Sequence, residues 1–460
     1  MKLEVERTQY GVGQGNFHVQ RITVQGPAST NYVGKKDAKV RLPFDFVYDC
    51  GSNQSSLSTS LSWAIKHYRP KKTYAGHKTK VSPTVDALFI SHFHEDHISG
   101  VQELCNEKEV ERLFVPYHTP EEVLIVLAQN AEWLATAQLL VVKWFLQALC
   151  DLAARRRIFN LQTVYVVPAN DDGFQPGEGL IGPELAEFPG GVIVNQADMG
   201  KAKLKSGEGL TFELEDREVW EIRAWHFKPV AAAPASLVRI AQKLSGVLGA
   251  KLENLPKITD EMAGRLKAAA ESIKKDLVDA VAADEDSDFN NHNIVSMCLY
   301  SGPVKNQTGK GTLVRMNAPA PIWANQHEGL AWIQLYGAKL SVHGDLEYGK
   351  RQQLGWLGTG DAMLAKKNVW ASFDDELEWT DKRAELVATI QIPHHGSASG
   401  QNYNSQLVES NQALAVFSTA ALSKHHHPSA TVISDLLRQG CAVVNVTEYV
   451  RPGVVEVVTV

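Results

Sequence analysis

The 460-residue sequence has few cysteines, and none of them stand in the short-spaced pairs that bind metals or form redox centres. The five are odd in number and far apart: Cys50, Cys105, Cys150, Cys298 and Cys441. A disulfide framework needs a paired set of cysteines, and a cysteine-rich zinc site needs CxxC pairs. The sequence therefore indicates neither, and it favours a reducing compartment, which we expect to be the cytoplasm.

Long apolar runs are also missing. The N-terminus, MKLEVERTQYGVGQG, has no hydrophobic stretch of the kind that a signal peptide carries. The most apolar segment, residues 134–149, contains Lys143 and is shorter than the roughly 20 residues that cross a bilayer. We expect a buried helix in this segment and no membrane partner.

Neither sign of charge is in large excess. Lys and Arg number 46, Asp and Glu number 52, and the net charge is -6. This balance excludes a protein that coats duplex DNA through a general basic surface, although it leaves room for a local basic groove. The hydrophobic share of 44% is typical of a soluble globular chain with a sizeable core. The length predicts two or three domains, or one domain with large insertions.

The chain alternates between strand-like and helix-like regions, without repeats of fixed period. β-branched and aromatic residues dominate the two ends of the sequence, whereas apolar residues recur at helical spacing in its middle. We therefore predict one α/β domain in two halves, residues 1–119 and residues 291–460. Residues 120–290 are predicted to be an insertion region, largely helical with some strands.

A cluster of metal-ligand side chains follows a short apolar run, VDALFIS, that is typical of a buried strand. The next residues complete the motif SHFHEDH, which contains His92, His94, Asp96 and His97. Because residues i and i+2 at a strand end point to one side, His92 and His94 can face one metal. The turn that follows can direct Asp96 and His97 to a second metal. The alternative is a polar loop that happens to be rich in histidine, but clustered ligands at a strand end are what metal sites require.

A second histidine segment, QIPHHGS at residues 391–397, has the residue types of a phosphate site. His395 and Ser397 can donate hydrogen bonds to phosphate oxygens, and Gly396 allows close approach of the backbone. A tight turn with surface histidines is the alternative.

A third segment, KHHHP, offers a cation, Lys424, and three imidazoles. For His425 and His426, exposed loop residues are the simpler interpretation. The glycines of GVGQGN near the start have a dinucleotide-loop alternative, but no downstream acidic residue in a βαβ unit accompanies them.

Taken together, these segments resemble the metallo-β-lactamase fold superfamily, whose HxHxDH motif is similar to SHFHEDH. The combination of VGQG, HxHxDH, GDL, PHHGS and a late HP resembles one branch more closely: the hydrolase domain of ComEC-type competence DNA-uptake channel proteins, here without the channel's membrane helices. The matching segments fall in residues 10–100 and 290–460. The resemblance implies a four-layered αββα metallo-β-lactamase fold with helical insertions.

The resemblance also implies roles for individual residues. Asp49 would support the metal site from below, Asp345 in SVHGDL would bridge two metals, and His394 or His395 would close the second site, with His394 favoured. The implied metal ligands are His92, His94, Asp96, His97, Asp345 and His394. The implied substrate-binding residues are His395, Ser397, Lys424 and His427. The superfamily's usual third histidine is not identifiable, and the candidates by order are His118, His226, His292, His327 and His343.

These residues predict a metal-dependent hydrolase that cleaves phosphodiester bonds with a hydroxide held between two divalent ions, either zinc or manganese. Its catalytic residues would be Asp96, His395 and His427, and its substrate would be nucleic acid, with DNA favoured. No serine or cysteine nucleophile motif competes with this prediction. The alternatives are a hydrolase of small phosphodiesters, phosphocholine-like esters or lactones, and a degenerate fold that serves as an interaction module. A partner-gated effector of a defence system, with a protein partner docked on the helical insertions, is a further hypothesis.

Overall fold

The structure is a computed structural model, and it describes nineteen stretches of the chain. They are residues 2–25, 32–33, 40–41, 43–53, 58–70, 83–116, 126–136, 163–167, 209–214, 217–227, 235–249, 259–283, 296–304, 311–317, 320–322, 333–335, 353–409, 413–423 and 425–460. Two of the predicted site residues, Asp345 and Lys424, lie outside the described residues.

The described strands run through the whole chain. In order they are β1 (Lys2–Tyr10), β2 (Gly15–Gln25), β3 (Tyr32–Val33), β4 (Val40–Arg41), β5 (Phe44–Ser52), β6 (Thr84–Val85), β7 (Ala87–Phe89), β8 (Glu109–Val110), β9 (Arg112–Pro116), β10 (Thr163–Val167), β11 (Gly209–Leu214), β12 (Arg217–Trp225), β13 (Cys298–Pro303), β14 (Thr312–Asn317), β15 (Ala320–Ile322), β16 (Ile333–Leu335), β17 (Gly355–Gly358), β18 (Val387–Gln391), β19 (Leu414–Ser418), β20 (Ala442–Val446) and β21 (Gly453–Thr459).

The described α-helices lie between these strands. In order they are α1 (Ser58–His67), α2 (Glu95–Ile98), α3 (Val101–Glu107), α4 (Ala131–Thr136), α5 (Ala235–Leu248), α6 (Asp260–Ala283), α7 (Lys367–Leu377) and α8 (Ala430–Arg438). A π-helical turn, Trp379–Arg383, and a 3₁₀ turn, Ala384–Leu386, follow α7, and two more 3₁₀ turns cover Pro393–Gly396 and Ser405–Leu407. None of the helices in the described part of the chain has the length and hydropathy that a bilayer crossing requires.

Two large sheets form the centre of the molecule. The first sheet has the strand order β10-β9-β7-β5-β2-β1-β21-β14, and the second has the order β11-β12-β13-β17-β18-β19-β20. Strands β5, β7, β9 and β10 run parallel in the first sheet, and β17 to β20 run parallel in the second. Segment 120–290 thus contributes β10 to one sheet and β11 and β12 to the other.

The inner faces of the two sheets pack on each other through large side chains. Strand β5 shows how the sequence achieves this, because its residues alternate between two cores. Phe44, Phe46 and Tyr48 point to the core between the sheets, whereas Val47 and Cys50 point to the opposite face. The second sheet contributes apolar side chains such as Trp220 and Trp356 to the same inter-sheet core.

Helices cover the outer faces of both sheets. The apolar side chains of α1, α3, α4, α5 and α6 pack in one core outside the first sheet, and those of α7 and α8 pack in another outside the second. In α5 the buried residues Ile240, Leu244 and Leu248 recur every four positions, which is the spacing that predicts a helix there. The order helix, sheet, sheet, helix confirms the predicted four-layered αββα architecture.

One close contact positions the short helix α2 against β5. A Cβ atom built on Gly51 would lie 2.5 Å from backbone atoms of Asp96 and His97. Backbone atoms cannot give way as a flexible side chain does, so only a glycine at residue 51 allows this approach. The position of the Asp96–His97 pair therefore depends on a residue that lacks a side chain.

Replacing Gly51 with Ala should lower the free energy of unfolding by about 1–3 kcal/mol, because the added methyl forces α2 away from β5. The measurement is urea unfolding of the purified variant. Gly264 in α6 is the matched control, because a Cβ there would meet no atom within 4 Å. Gly264→Ala should raise the same free energy by about 0.5–1 kcal/mol. Equal effects of the two substitutions would contradict the assignment of close packing to Gly51.

Candidate metal centre

The candidate site lies where strands of both sheets end. Asp49 is near the end of β5, the SHFHEDH motif follows β7, and Asp361 follows β17. His394 and His395 follow β18, and the backbone of Ser418 at the end of β19 contacts the ring of His395. The carboxyl ends of parallel strands gather polar loops at one edge of a sheet, and here two sheets contribute loops to the same place.

The carboxylate of Asp361 lies at the centre of the site, between two pairs of imidazoles. Its Oδ1 is 3.2 Å from His97 Nε2 and 3.9 Å from His395 Nε2. Its Oδ2 is 3.6 Å from His92 Nε2 and 3.7 Å from His394 Nε2. Each oxygen thus faces a different pair of ring nitrogens.

His94 and Asp96 extend the two sides. His94 Nδ1 is 2.8 Å from His92 Nε2, so these two rings share one side. Asp96 Oδ2 is 3.1 Å from His395 Nε2, and its Oδ1 is 3.9 Å from His97 Nε2. This arrangement contains two groups of three residues, and within each group the ligand atoms all lie within 4.8 Å of one another. They are His92, His97 and Asp361, and Asp96, His97 and His395.

The four imidazoles around Asp361 have their other ring nitrogen engaged on the outside. An Nδ1–H donated outward leaves the Nε2 lone pair directed at the centre, as in most histidine ligands of metals. The outer partners are the Asp49 carboxylate for His97 (2.7 Å), the Ser418 carbonyl for His395 (2.6 Å), Asn402 Oδ1 for His394 (3.0 Å) and Ser91 Oγ for His92 (3.0 Å).

Asp49 is fully buried beneath this arrangement, and hydrogen bonds hold both of its oxygens. It accepts from the backbone N–H of Ser91 at 2.6 Å, from the Ser91 hydroxyl at 2.8 Å and from Asn16 Nδ2 at 3.1 Å. Its backbone is left-handed, with φ 57°. The structure thus places Asp49 in contact with His97, on the side of the ring away from Asp361.

The loop that carries Asp361 requires a glycine. Gly360 has φ +51°, and a Cβ there would lie 2.5 Å from Ser296 Oγ. Ser296 Oγ also accepts the backbone N–H of Asp361 at 3.0 Å, and Asn402 Nδ2 donates to the Asp361 carbonyl at 2.7 Å. Both contacts fix the direction in which the Asp361 side chain leaves the loop.

His394 and His395 both have left-handed backbones, with φ 50° and 53°. Residues with a Cβ pay about 1–3 kcal/mol each for such conformations, and these persist where the surroundings impose them. The His394 N–H donates to the Gly360 carbonyl at 3.0 Å, which ties this turn to the Asp361 loop. The strained turn is what points two consecutive rings at one carboxylate.

Two buried polar atoms at the centre have no hydrogen-bond partner: His97 Nε2 and Asp361 Oδ1. They face each other at 3.2 Å, and an unsatisfied buried polar atom is costly. A divalent cation would satisfy both, because neutral imidazole nitrogens and carboxylate oxygens are its ordinary ligands. The residues present therefore fit a metal, and this mixed nitrogen and oxygen set suits zinc and manganese alike.

Electrostatics keep the carboxylates ionised. Burial alone raises the pKa of Asp361, but the surrounding histidines, led by His394 and His97, outweigh it and hold that pKa well below its usual range. For Asp96, burial is likewise outweighed by His97 and His395, and the pKa falls to about 2. Burial lowers the pKa of His97, but the carboxylates of Asp361 and Asp49 raise it above its ordinary value. Anionic ligands are thus available at neutral pH.

The site opens on the side of Asp96 and His394. Their side chains are 16% and 27% exposed, whereas those of His92, His97 and Asp361 are at most 3% exposed. His427 lies at this opening, with its ring centroid 5.7 Å from that of His394. Burial lowers the pKa of His427 to about 4, so the ring is neutral at pH 7.

Six predicted residues meet at the centre: His92, His94, Asp96, His97, His394 and His395. His395 lies on the Asp96 side and His394 on the His92 side, whereas the sequence favoured His394 for the Asp96 side. Ser397 is 7% exposed, and its Oγ accepts the Ser399 N–H at 3.3 Å within the turn.

Sequence reasoning missed Asp361. It chose the Gly344–Asp345 pair, but a second Gly-Asp pair, Gly360–Asp361, directly follows the strand-like residues GWLGT and was the available signal. Among the candidates for a third histidine, His226 is buried just after β12 and is in neither ligand group. His118, His292, His327 and His343 lie outside the described residues.

Comparisons with known proteins agree with this location. Residues 82–123, which contain SHFHEDH, match the sequence model of the Metallo-beta-lactamase superfamily. Among curated protein sequences nothing matches. One similar solved structure is a long form RNase Z from yeast, at 6% identity and a TM-score of 0.29, over 91% of this chain and 36% of that one. The chain thus spans about a third of the length of that protein, and a similarity at this level supports no functional conclusion.

Asp361→Asn should weaken metal binding by more than about 100-fold, since even residues that only support a metal ligand change the affinity 10–100-fold. The measurement is chelator competition with added zinc or manganese on metal-stripped protein. Asp345→Asn is the control, as the same substitution after the other Gly-Asp pair, and should leave the affinity unchanged. If Asp345→Asn lost metal binding and Asp361→Asn kept it, the central ligand would be Asp345 and not Asp361.

Proposed function

We propose that the chain is a metal-dependent hydrolase that cleaves phosphodiester bonds, with nucleic acid as its substrate. The observation that supports this proposal is the position of Asp361, a buried carboxylate whose two oxygens face two different pairs of imidazoles. Such a centre would hold two divalent ions side by side. The resemblance to the competence-type hydrolase domains supports the choice of a phosphodiester, and of DNA in particular.

In this proposal His92, His94 and His394 would hold one ion, and Asp96, His97 and His395 the other, with Asp361 between them. Divalent ions bound there would supply Lewis acidity toward phosphoryl oxygens and a water of lowered pKa. The protein's part is to keep the ligands in place before substrate arrives. The outward hydrogen bonds of the four imidazoles and the strained turn at His394 and His395 do this.

His427 would act on the substrate rather than as a ligand. Its ring lies at the open side, beside His394, and is in neither group of clustered ligand atoms. A neutral imidazole has one donor and one acceptor nitrogen, so it can orient a phosphoryl oxygen or pass a proton to the leaving oxygen. Of the predicted catalytic residues, His427 and Asp96 therefore line the opening, and His395 is reassigned to ligand binding.

The rim of the site also has a surface on which bases could stack. Ser418 and His427 both lie at the site, and Leu422 between them in the sequence is 86% exposed. The Ala421 N–H donates to the Glu448 carboxylate, which places Tyr449, itself 72% exposed, on the adjoining loop. The ring of Tyr449 would offer a base a face on which to stack, as aromatic side chains do in proteins that bind single strands.

The test is hydrolysis by metal-stripped protein after addition of zinc or manganese. The substrates are single-stranded DNA, duplex DNA, RNA and bis-p-nitrophenyl phosphate. We expect polymer cleavage that depends on added metal and is lost in Asp361→Asn. His427→Ala should bind metal as the unchanged protein does but turn over about 10²–10⁴-fold more slowly, as expected for loss of an acid–base group.

Each other outcome changes the account in a defined way. Turnover of the small diester alone would replace nucleic acid with a small phosphodiester. Loss of metal from the His427→Ala variant, in proportion to its activity, would make His427 a ligand. Absence of turnover on every substrate with metal bound would contradict a constitutive hydrolase.

A further inference from the structure

A line of buried polar side chains crosses the largely apolar core between the two sheets and ends at the candidate site. It begins on the second sheet and passes along β1 and β2 of the first. Its members, all at most 4% exposed, are Trp220, Ser301, Gln20, His18, Gln9, Asn16, Asp49 and His97. We call this set the inter-sheet hydrogen-bond chain.

The first half of the inter-sheet hydrogen-bond chain joins the two sheets. Trp220 Nε1 donates to Ser301 Oγ at 3.0 Å, and Ser301 Oγ donates to Gln20 Oε1 at 2.9 Å. Gln20 Nε2 is then 3.0 Å from His18 Nε2. The His18 ring stacks on Trp356 of the second sheet, with centroids 3.9 Å apart and planes within 7°.

The second half reaches the site. His18 Nδ1 is 3.2 Å from Gln9 Oε1, and Gln9 Nε2 donates to Asn16 Oδ1 at 2.9 Å. Asn16 Nδ2 donates to Asp49 Oδ2 at 3.1 Å, the same oxygen that accepts from His97 Nδ1. The chain is therefore continuous from the indole of Trp220 to a candidate metal ligand.

Gln9 and Asn16 also reach the other side of the site. Gln9 Nε2 donates to Ser418 Oγ at 2.9 Å, and the carbonyl of Ser418 accepts from His395 Nδ1 at 2.6 Å. Asn16 Nδ2 is 3.2 Å from Gln391 Oε1, two residues before the turn that carries His394 and His395. The side chains of Gln9 and Asn16 therefore contact the groups that accept hydrogen bonds from His97 and His395.

From Trp220 to Asp49 the hydrogen bonds all run in one direction, and the last one, from His97 Nδ1, enters Asp49 from the other side. The indole N–H of Trp220 can only donate, and Asp49 Oδ2 accepts from Asn16 Nδ2, so these two groups fix the polarity of every hydrogen bond between them. Each amide receives on its oxygen and donates from its nitrogen toward Asp49. His18 must then accept at Nε2 and carry its proton on Nδ1. Burial, reinforced by Arg7, lowers the pKa of His18 well below its ordinary value, which agrees with a neutral ring.

Stability alone does not account for such a chain. Apolar side chains of the same size would pack between the sheets without the desolvation that buried polar groups require. The residues break the apolar pattern of the inner faces at Gln9, His18 and Gln20, and they do so on the line that leads to the site. A fully satisfied buried network rigidifies its surroundings.

We propose that Gln9 and Asn16 are positioning residues, which hold the Asp49 carboxylate and the Ser418 loop so that His97 and His395 keep Nδ1–H and present Nε2 to the metals. This inference rests on the metal centre of the proposed function but not on the reaction. It predicts that the affinity for metal depends on a side chain that touches no metal ligand.

The test is Gln9→Met, which keeps the size of the side chain and removes both of its donated bonds. Metal affinity, measured by chelator competition, should fall about 10–100-fold, the effect of losing a group that orients a ligand. Tyr300→Phe is the control, because it also deletes one buried hydrogen bond, from Tyr300 to the Pro303 carbonyl. Tyr300→Phe should lower the thermal stability about as much as Gln9→Met does, but it should leave the affinity for metal unchanged. Equal affinities in both variants, or equal losses, would overturn the proposal.

A second measurement needs no variant to fold and no metal. Nitrogen-15 NMR of the histidine rings in the metal-free protein should show His18 protonated at Nδ1 only and neutral across the pH range of the folded protein. Protonation of His18 at Nε2 would contradict the direction of the hydrogen bonds in the inter-sheet hydrogen-bond chain. The protein could show the expected His18 tautomer and weaker metal binding in Gln9→Met, and yet have no hydrolase activity. That result would uphold this inference and reject only the proposed function.

Discussion

The burial of one carboxylate, that of Asp361, is the constraint on which the site depends. Asp361 is 2% exposed, and the histidines around it keep it ionised. A buried charge is tolerated only when opposite charge or donors meet it from each side. Here the nearest groups present ring nitrogens on both oxygens, and one oxygen, Oδ1, remains without a hydrogen bond. The centre is therefore arranged around an anion that the protein alone leaves incompletely satisfied, as a metal site must be.

The fold supplies this arrangement by bringing two sheets to one edge. The first sheet contributes Asp49 and the SHFHEDH loop, and the second contributes Asp361, His394 and His395. Neither sheet holds a complete ligand set, so the site exists only when the inter-sheet core is formed. The polar residues that cross this core connect the packing of the sheets to the direction of individual rings. Stability and ligand geometry are thus coupled through the same interface.

Much of this was readable in the sequence, because local patterns report local structure. The strand-then-histidine order predicted where His92, His94, Asp96 and His97 would gather. The apolar periodicities predicted an α/β domain, and the resemblance to the metallo-β-lactamase fold implied its αββα layers. The position of Asp361 was harder to predict. Two Gly-Asp pairs stand sixteen positions apart in the sequence, and only the pairing of β17 with β13 and β18 brings Asp361 to the centre. Which of His394 and His395 lies on the Asp96 side likewise depends on their left-handed backbone. Two consecutive histidines in a sequence do not reveal that conformation.

The inter-sheet hydrogen-bond chain was beyond sequence reasoning for a related reason. Nothing in the sequence marks Gln9, His18 and Gln20 as internal, because they are polar residues in strands, whereas all three are buried between the sheets. Alternation tells which residues share a face, but it does not tell that both faces of a strand are covered. Only the second sheet, contributed by residues far along the chain, makes these side chains internal.

The most direct test of the account is electron paramagnetic resonance of the metal-stripped protein titrated with manganese. Two manganese ions bound on either side of Asp361, as we propose, would sense each other's spins. The account predicts uptake of two equivalents and a magnetically coupled spectrum, which is lost in Asp361→Asn. A saturated protein with one equivalent, or with two ions that give only uncoupled six-line signals, would contradict the bridging carboxylate.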